Sequence, residues 1–360
     1  MLRFECDYSE GAHPKILERL LSTNLEQSPG YGKDDHCERA RALIRQACGL
    51  PQSTIEFLSG GTQANQIVIA SILKPYQGVV CADTGHINVH ETGAIEATGH
   101  KVLALPSRDG KITAQQIAKL CSAHWTDPSH EHTVQPGLVY LSQPTELGTL
   151  YSKAELKAIH QVCWQRHIPL YIDGARCGYG LAAPGNDVTL PDLAQLADVF
   201  YIGGTKVGAL VGEAVVIPNL SIQRDFRYMV KRLGGMLAKG RLLGIQFEVL
   251  FEDGLYLQLG RQAVELALRI RDAFHRCGVE MAFPSQTNQQ FPILTRELRD
   301  ALARKYTFNQ WEALAGKYSF NHWADLEDGR SVVRFCTSWA TTPQAVEELC
   351  RDIHAICGQA

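Results

Sequence analysis

The 360-residue sequence predicts a doubly wound α/β domain with a mostly parallel sheet, followed by a small C-terminal α+β domain. Three observations carry this. Short apolar runs alternate with helical patterns from Thr54 to Ile217. The runs are continuous rather than alternating in polarity, as parallel strands buried on both faces are. In the last third, helices mix with strands in hairpin-like succession.

Residues 1–30 read as an arm: a helix from Pro14 to Leu21, then a loop, packed on the large domain or on a partner. The large domain spans 31–238. In it, Thr54 to Leu58 is a strand and Gln63 to Leu73 an apolar helix. Gly78 to Ala82 is a strand, followed by a helix up to Thr98. Val102 to Leu105 is a strand, Thr113 to Ala123 a helix and Gly137 to Ser142 a strand. Ser152 caps a helix that runs to Arg166, with Glu155 completing a capping box. Leu170 to Asp173 and Val199 to Ile202 are strands. The small domain, 239–360, opens on a helical segment from about Lys239 to Phe274. Glu280 to Phe283, Gln290 to Thr295 and Ser331 to Cys336 follow as strands, and a last helix runs from near Thr342 to Ile356. Lys305-Tyr-Thr-Phe-Asn-Gln-Trp311 nearly repeats as Lys317-Tyr-Ser-Phe-Asn-His-Trp323, far too short for a solenoid.

The composition, 45% hydrophobic and 20% charged, is that of a soluble globular protein. A net charge of -3 and no basic cluster argue against nucleic acid or anionic membrane as a partner. The 11 cysteines contain no C-x-x-C and fit reduced thiols of a cytoplasmic protein better than a disulfide framework or a zinc site. The 13 histidines show no H-E-x-x-H spacing, so no metal is expected. The N-terminal residues lack a signal-peptide core, and no run is long enough to span a bilayer.

The chemistry concentrates at two strand ends. The run Val199 to Ile202 ends in Gly203 and Gly204, then Thr205 and Lys206. A Schiff-base lysine needs such a place, with small neighbours that admit a flat cofactor. The strand Leu170 to Asp173 ends on a carboxylate, with Arg176 three residues on. These are the two contacts that pyridoxal 5′-phosphate (PLP) requires. The acid keeps the pyridine nitrogen protonated, and the lysine carries the aldehyde. Gly60-Gly61-Thr62 lies between a strand and a helix, where backbone N–H groups and the helix dipole bind phosphate. An ordinary glycine turn with Thr62 as N-cap is the competing reading there. Arg334 stands in an apolar strand, where a buried guanidinium needs a carboxylate or phosphate partner.

In Phe57-Leu-Ser-Gly-Gly-Thr-Gln-Ala-Asn65, His86 to Gly93, Asp173-Gly-Ala-Arg176, Gly203 to Lys206 and Arg334-Phe-Cys-Thr337, the chain resembles a known family. It is that of the PLP-dependent threonine aldolases and their β-eliminating lyase relatives, of the PLP-dependent transferase fold type I. The resemblance runs from about Phe4 to the C-terminus. It implies that Lys206 holds PLP and that Asp173 pairs with the pyridine nitrogen. It implies that His86 stacks on the ring, with Glu91 five residues on, and that Gly60, Gly61, Thr62 and Thr205 contact the cofactor. His86 or His132 is the base for the substrate hydroxyl, with His90 and His130 as competitors for these places. Arg334, helped by Ser9, clamps the substrate carboxylate, while Arg176 reaches the cofactor or the same carboxylate. Tyr31 and Lys231 lie in segments that reach a neighbouring subunit's site in a homodimer or homotetramer, Tyr31 toward substrate and Lys231 toward phosphate. The sequence departs from the family at Gly60, where a serine is usual, and at Leu237, where an arginine is usual. The activity implied is cleavage of a β-hydroxy-α-amino acid, threonine or allo-threonine, to glycine and acetaldehyde. A β-eliminating lyase or aminotransferase acting on another amino acid stays open, as does a catalytically silent scaffold of the same fold.

Overall fold

The computed structural model describes residues 2–305 and 318–358. The strands in chain order are β1 (Leu2–Arg3), β2 (Thr54–Leu58), β3 (Gln77–Ala82), β4 (Val102–Leu105), β5 (Gln135–Ser142), β6 (Leu170–Asp173), β7 (Val199–Gly203) and β8 (Glu213–Ile217), then β9 (Gln289–Gln290), β10 (Ile293–Leu294), β11 (Tyr318–Ser319), β12 (Asn321–Asp325) and β13 (Ser331–Cys336). The main sheet is seven-stranded, in the order β2-β8-β7-β6-β5-β3-β4. Only β8 runs against its neighbours, pairing antiparallel with both β2 and β7.

The sheet is largely buried on both faces, which is why its strands are mostly apolar, with the buried carboxyls Glu56 on β2 and Glu213 on β8 as exceptions. Residues of alternate parity fill two cores. Phe57, Val139, Ile172 and Phe200 face one, and Leu58, Leu138, Tyr171 and Tyr201 the other. Crossover helices cover the faces. The helix Lys153–Arg166, for instance, starts on the Ser152–Glu155 capping box and joins β5 to the parallel β6. The mixed direction of β8 has a simple cause. The turn after β7 is short, so the chain doubles back rather than crossing over.

Two expected helices are broken. The segment up to Thr98 gives a turn of helix, His86–Val89, and a short 3-10 helix, Glu96–Thr98. Between them Thr92 and Gly93 adopt φ of 52° and 72°, which an α-helix cannot contain. The segment from Lys239 to Phe274 is two helices, Arg241–Phe251 and Leu255–Arg276. They part at Asp253 and Gly254, where φ is 51° and 69°. The longer helix joins two cores: Leu255, Leu259 and Val264 pack with the large sheet, and Leu266, Ile270 and Phe274 with the small one.

In the small sheet β13 lies between β10 and β12 and also pairs with β9, all antiparallel. The last helix, Pro343–Cys357, closes its core through Val346, Leu349 and Ile353. Most of the first copy of the short repeat, 306–311, lies outside the described residues. The second copy supplies Phe320, which stacks on Phe335 with ring centroids 4.7 Å apart, and Trp323.

Candidate active site

Register sets the site. Ser142 lies beside Asp173, and Gly203 beside Glu213, which also opposes Leu58. The ends of five strands therefore form one row, at the carboxyl edge where open α/β sheets bind ligands. A cavity of about 300 Å³ opens there, lined among others by Gly60, Gly61, Thr62, His86, Asp173, Arg176, Thr205 and Lys206. Eight of the residues singled out in the sequence thus come together.

Lys206 follows the glycine pair because nothing larger fits. A Cβ on Gly203 would collide with the Ala175 carbonyl, and one on Gly204 would lie 2.7 Å from the Gly212 carbonyl. Its own carbonyl accepts the Tyr179 hydroxyl, which fixes the backbone below the side chain. No salt bridge engages its amine among the described residues. Burial and the Arg176 charge push its pKa down, toward the neutral amine that a nucleophile needs.

Asp173 ends β6 and is buried. Its Oδ2 accepts the Tyr140 hydroxyl at 2.7 Å and the Asn65 amide at 3.2 Å, and its Oδ1 accepts the Ala175 N–H at 2.9 Å. Burial, then Asp173 itself, raises the Tyr140 pKa, so that hydroxyl stays a donor. Asn65 is oriented by the Tyr171 hydroxyl, which donates to its Oδ1 at 2.7 Å. Its amide also donates to Glu91 Oε1 at 2.7 Å, and the same oxygen receives His86 Nδ1 at 2.8 Å. A carboxylate can only accept, so the proton sits on Nδ1 and His86 Nε2 is left as the basic nitrogen. Asn65 thereby bridges the acid under His86 and the acid of Asp173.

Further groups line the cavity that the sequence did not single out: Tyr8, Ser142, Glu146, Tyr201 and Glu213. Glu146 Oε1 accepts the His86 N–H at 2.9 Å and the Ser142 hydroxyl at 2.6 Å, while its Oε2 is buried without a partner. Burial raises its pKa. Arg176 makes a two-bond ion pair with Asp7 of the arm, Nε to Oδ2 at 2.7 Å and Nη2 to Oδ1 at 3.0 Å. One edge of the guanidinium is thus committed.

The other expected residues lie apart from this cavity's lining. Arg334 donates to Gln289 at 3.3 Å and to the Glu5 carbonyl at 3.1 Å, and lies 5.2 Å over the Trp323 ring. Its Nε is buried without a partner, and its charge acts on Tyr8 and on His90. Ser9 is exposed, 3.1 Å from the Cys6 sulfur. His132 ends a short exposed turn, His130–His132, before the opposite end of β5. Lys231 sits 5.0 Å over the Tyr31 ring, and Tyr31 lines a separate crevice with Arg41 and Glu56.

The residues present fit PLP. The helix Gly61–Ile72 begins at the cavity with no side-chain cap, and its first helical bond is from Ala64 N–H to Gly60 O at 3.0 Å. The N–H groups of Gly61, Thr62 and Gln63 precede it and stay available to an anion. A lysine whose amine makes no salt bridge among the described residues and a buried acid complete the set.

The model of the beta-eliminating lyase family matches residues 7–297. The chain belongs to the beta-eliminating lyase family. Membership makes it a PLP-dependent lyase. It is similar to the low specificity L-threonine aldolases of a Pseudomonas species, 31% identical over 98% of this chain and 97% of that one, and of Pseudomonas aeruginosa, 30% identical over 99% and 98%. Among solved structures, the threonine aldolase of Leishmania major superposes with a TM-score of 0.92 at 41% identity, covering 100% of this chain and 99% of that one. An aspartate aminotransferase of Thermus thermophilus, at 13% identity, 99% and 91% coverage and a TM-score of 0.70, shares the fold. The family and its relatives thus agree with the PLP-dependent transferase fold type I read from the sequence. No helix among the described residues is long and apolar enough to cross a membrane.

Proposed function

We propose that the protein cleaves threonine or allo-threonine to glycine and acetaldehyde. The observation that carries this is the joint presence, in one cavity, of a Lys206 that makes no salt bridge among the described residues, a buried Asp173 and a histidine whose basic nitrogen is free. The full-length similarity to threonine aldolases supports it. Lys206 holds the cofactor covalently, and the N-terminus of Gly61–Ile72 with Thr62 binds its phosphate. Bound PLP supplies a sink for the electron pair of the breaking Cα–Cβ bond. Asp173 keeps a proton on the ring nitrogen. His86 Nε2 takes the proton of the substrate β-hydroxyl, and Glu91 steadies the imidazolium that results. The Arg334 guanidinium positions the substrate carboxylate, which fixes which bond of Cα is cleaved. We further propose a cytoplasmic homo-oligomer in which Tyr31 and Lys231 serve a neighbouring copy. The eleven free thiols fit a reducing compartment.

The deciding assay is release of acetaldehyde from the threonine and allo-threonine stereoisomers, beside serine and β-phenylserine. Release of no aldehyde by PLP-loaded protein would end the proposal. Borohydride reduction followed by peptide mapping should place the pyridoxyl group on Lys206; a label on Lys33, Lys231 or Lys239 would sink that assignment.

Arg334→Lys separates a carboxylate clamp from a core ion. Lysine keeps the charge but loses the planar fork, so the charge-assisted bond weakens. The variant should melt near the wild type while kcat/KM falls roughly ten- to a hundred-fold, the equivalent of about 1.5–3 kcal/mol. A destabilised variant with normal kcat/KM would assign Arg334 to packing alone.

A further inference from the structure

Glu213 opens β8 in the wall of the cavity, yet the reaction above gives it no task. Both its oxygens are held. Oε1 accepts the Thr205 hydroxyl at 2.8 Å, and Oε2 accepts the Gly204 N–H at 3.1 Å. The Thr205 oxygen in turn accepts the Gly212 N–H at 3.0 Å. One carboxyl therefore ties the turn that carries Lys206 to the start of β8. The register partners of Glu213, Leu58 on β2 and Gly203 on β7, carry no charge. The titratable groups that do face it are Lys206 on the turn, Asp173 and Tyr171 on β6, Tyr201 on β7 and Tyr256 on the helix Leu255–Arg276. Burial lifts the Glu213 carboxyl to about 8, while burial and the Arg176 charge push the Lys206 amine down.

An acid raised and an amine lowered in one cavity have their proton affinities drawn together. A carboxylate in the wall of the cavity that holds an amine favours the protonated form of that amine. We propose that Glu213 is a positioning residue for Lys206: it ties down the lysine's turn through Thr205 and Gly204, and its carboxyl, in the wall of the same cavity, biases the lysine's side-chain nitrogen toward the protonated form. This rests on the reading that Lys206 holds the cofactor.

The test is a pH titration of the visible absorbance of the PLP-loaded protein, which reports the protonation of the Lys206 nitrogen. In the wild type, the Glu213 carboxylate favours the protonated nitrogen. Glu213→Gln is neutral at every pH, so the midpoint should fall by about one pH unit or more, a tenfold loss of proton affinity. Thr205→Val keeps the carboxyl but removes a donor to its charged form, so the midpoint should fall in the same direction by less. Thr205→Val also answers alone if Glu213→Gln does not fold. Should the label of the wild type map away from Lys206, the underlying reading fails and this inference with it. If the label maps to Lys206 and the variants titrate as the wild type does, this role of Glu213 is overturned while the reading of Lys206 stands.

Discussion

Asp173→Asn should fold, take up PLP and lose most of its turnover, with kcat down roughly 10²- to 10³-fold, or about 2.7–4 kcal/mol of barrier. The cavity explains both halves. Every bond that Asp173 makes is one it accepts, from Tyr140, Asn65 and the Ala175 N–H. An asparagine must turn one donor group toward at least one of these donors. The Asn65 amide cannot flip in compensation, because its oxygen is held by the Tyr171 hydroxyl and its nitrogen also serves Glu91. The neutral side chain leaves the ring nitrogen without an anion to hold its proton, so the electron sink weakens when it is needed. Size and shape hardly change, which is why the fold should survive. Steady-state kinetics at saturating PLP, with circular dichroism on the same sample, reads both quantities. Turnover within a few-fold of wild type would remove Asp173 from this role.

The residues that were legible in the sequence share a property. Lys206, Asp173 and Gly60 to Thr62 each stand at the end of an apolar run, so a local pattern marks both the strand and the functional position after it. The seven-stranded sheet was legible for the same reason, except β8. Glu213-Ala-Val-Val-Ile217 begins with a carboxylate, and nothing local says that antiparallel pairing with β2 and β7 will bury it. Asn65 was within reach of inspection, since it lies one helical turn after Gly61 and so shares its face. Tyr140 and Tyr171 read only as apolar bulk in their strands, although the Tyr140 hydroxyl donates to Asp173 and the Tyr171 hydroxyl to Asn65, the amide that bridges the site's acids. His132 shows the reverse error of scale. Its distance in sequence from β5 gives no direction, and the strand carries it to the end away from the cavity. The breaks at Thr92-Gly93 and Asp253-Gly254 each carry a glycine with positive φ, a turn signal that the helical pattern around them masked.

The buried ion pair between the N-terminal segment and Arg176 should matter most to stability. Asp7→Asn is expected to lower unfolding free energy by roughly 3–5 kcal/mol, the range for removing one partner of a buried ion pair. Asp7 is fully buried, and its two oxygens take Arg176 Nε and Nη2, with the Asn288 amide on Oδ2 at 2.9 Å. Asparagine would present an amide donor to a guanidinium that has only donors, and leave that cation buried beside Lys206. The pair also predicts the acid behaviour. Burial raises the Asp7 pKa, but Arg176, Lys206 and the hydrogen bonds outweigh it and hold the carboxyl at about 2, below the ordinary 3.8. The folded state therefore binds this proton less readily than the unfolded chain. The stabilisation is complete above the unfolded pKa and is lost as pH falls from about 4 through about 2, a change of about 2 kcal/mol. Urea unfolding of both proteins at several pH values measures this directly. The gap between wild type and Asp7→Asn should be widest near neutral pH and shrink steadily below pH 4, where the wild-type carboxyl is itself becoming neutral. A variant within about 1 kcal/mol of wild type at pH 7, or a gap that widens with acid, would show that the arm is not anchored to the site through this pair.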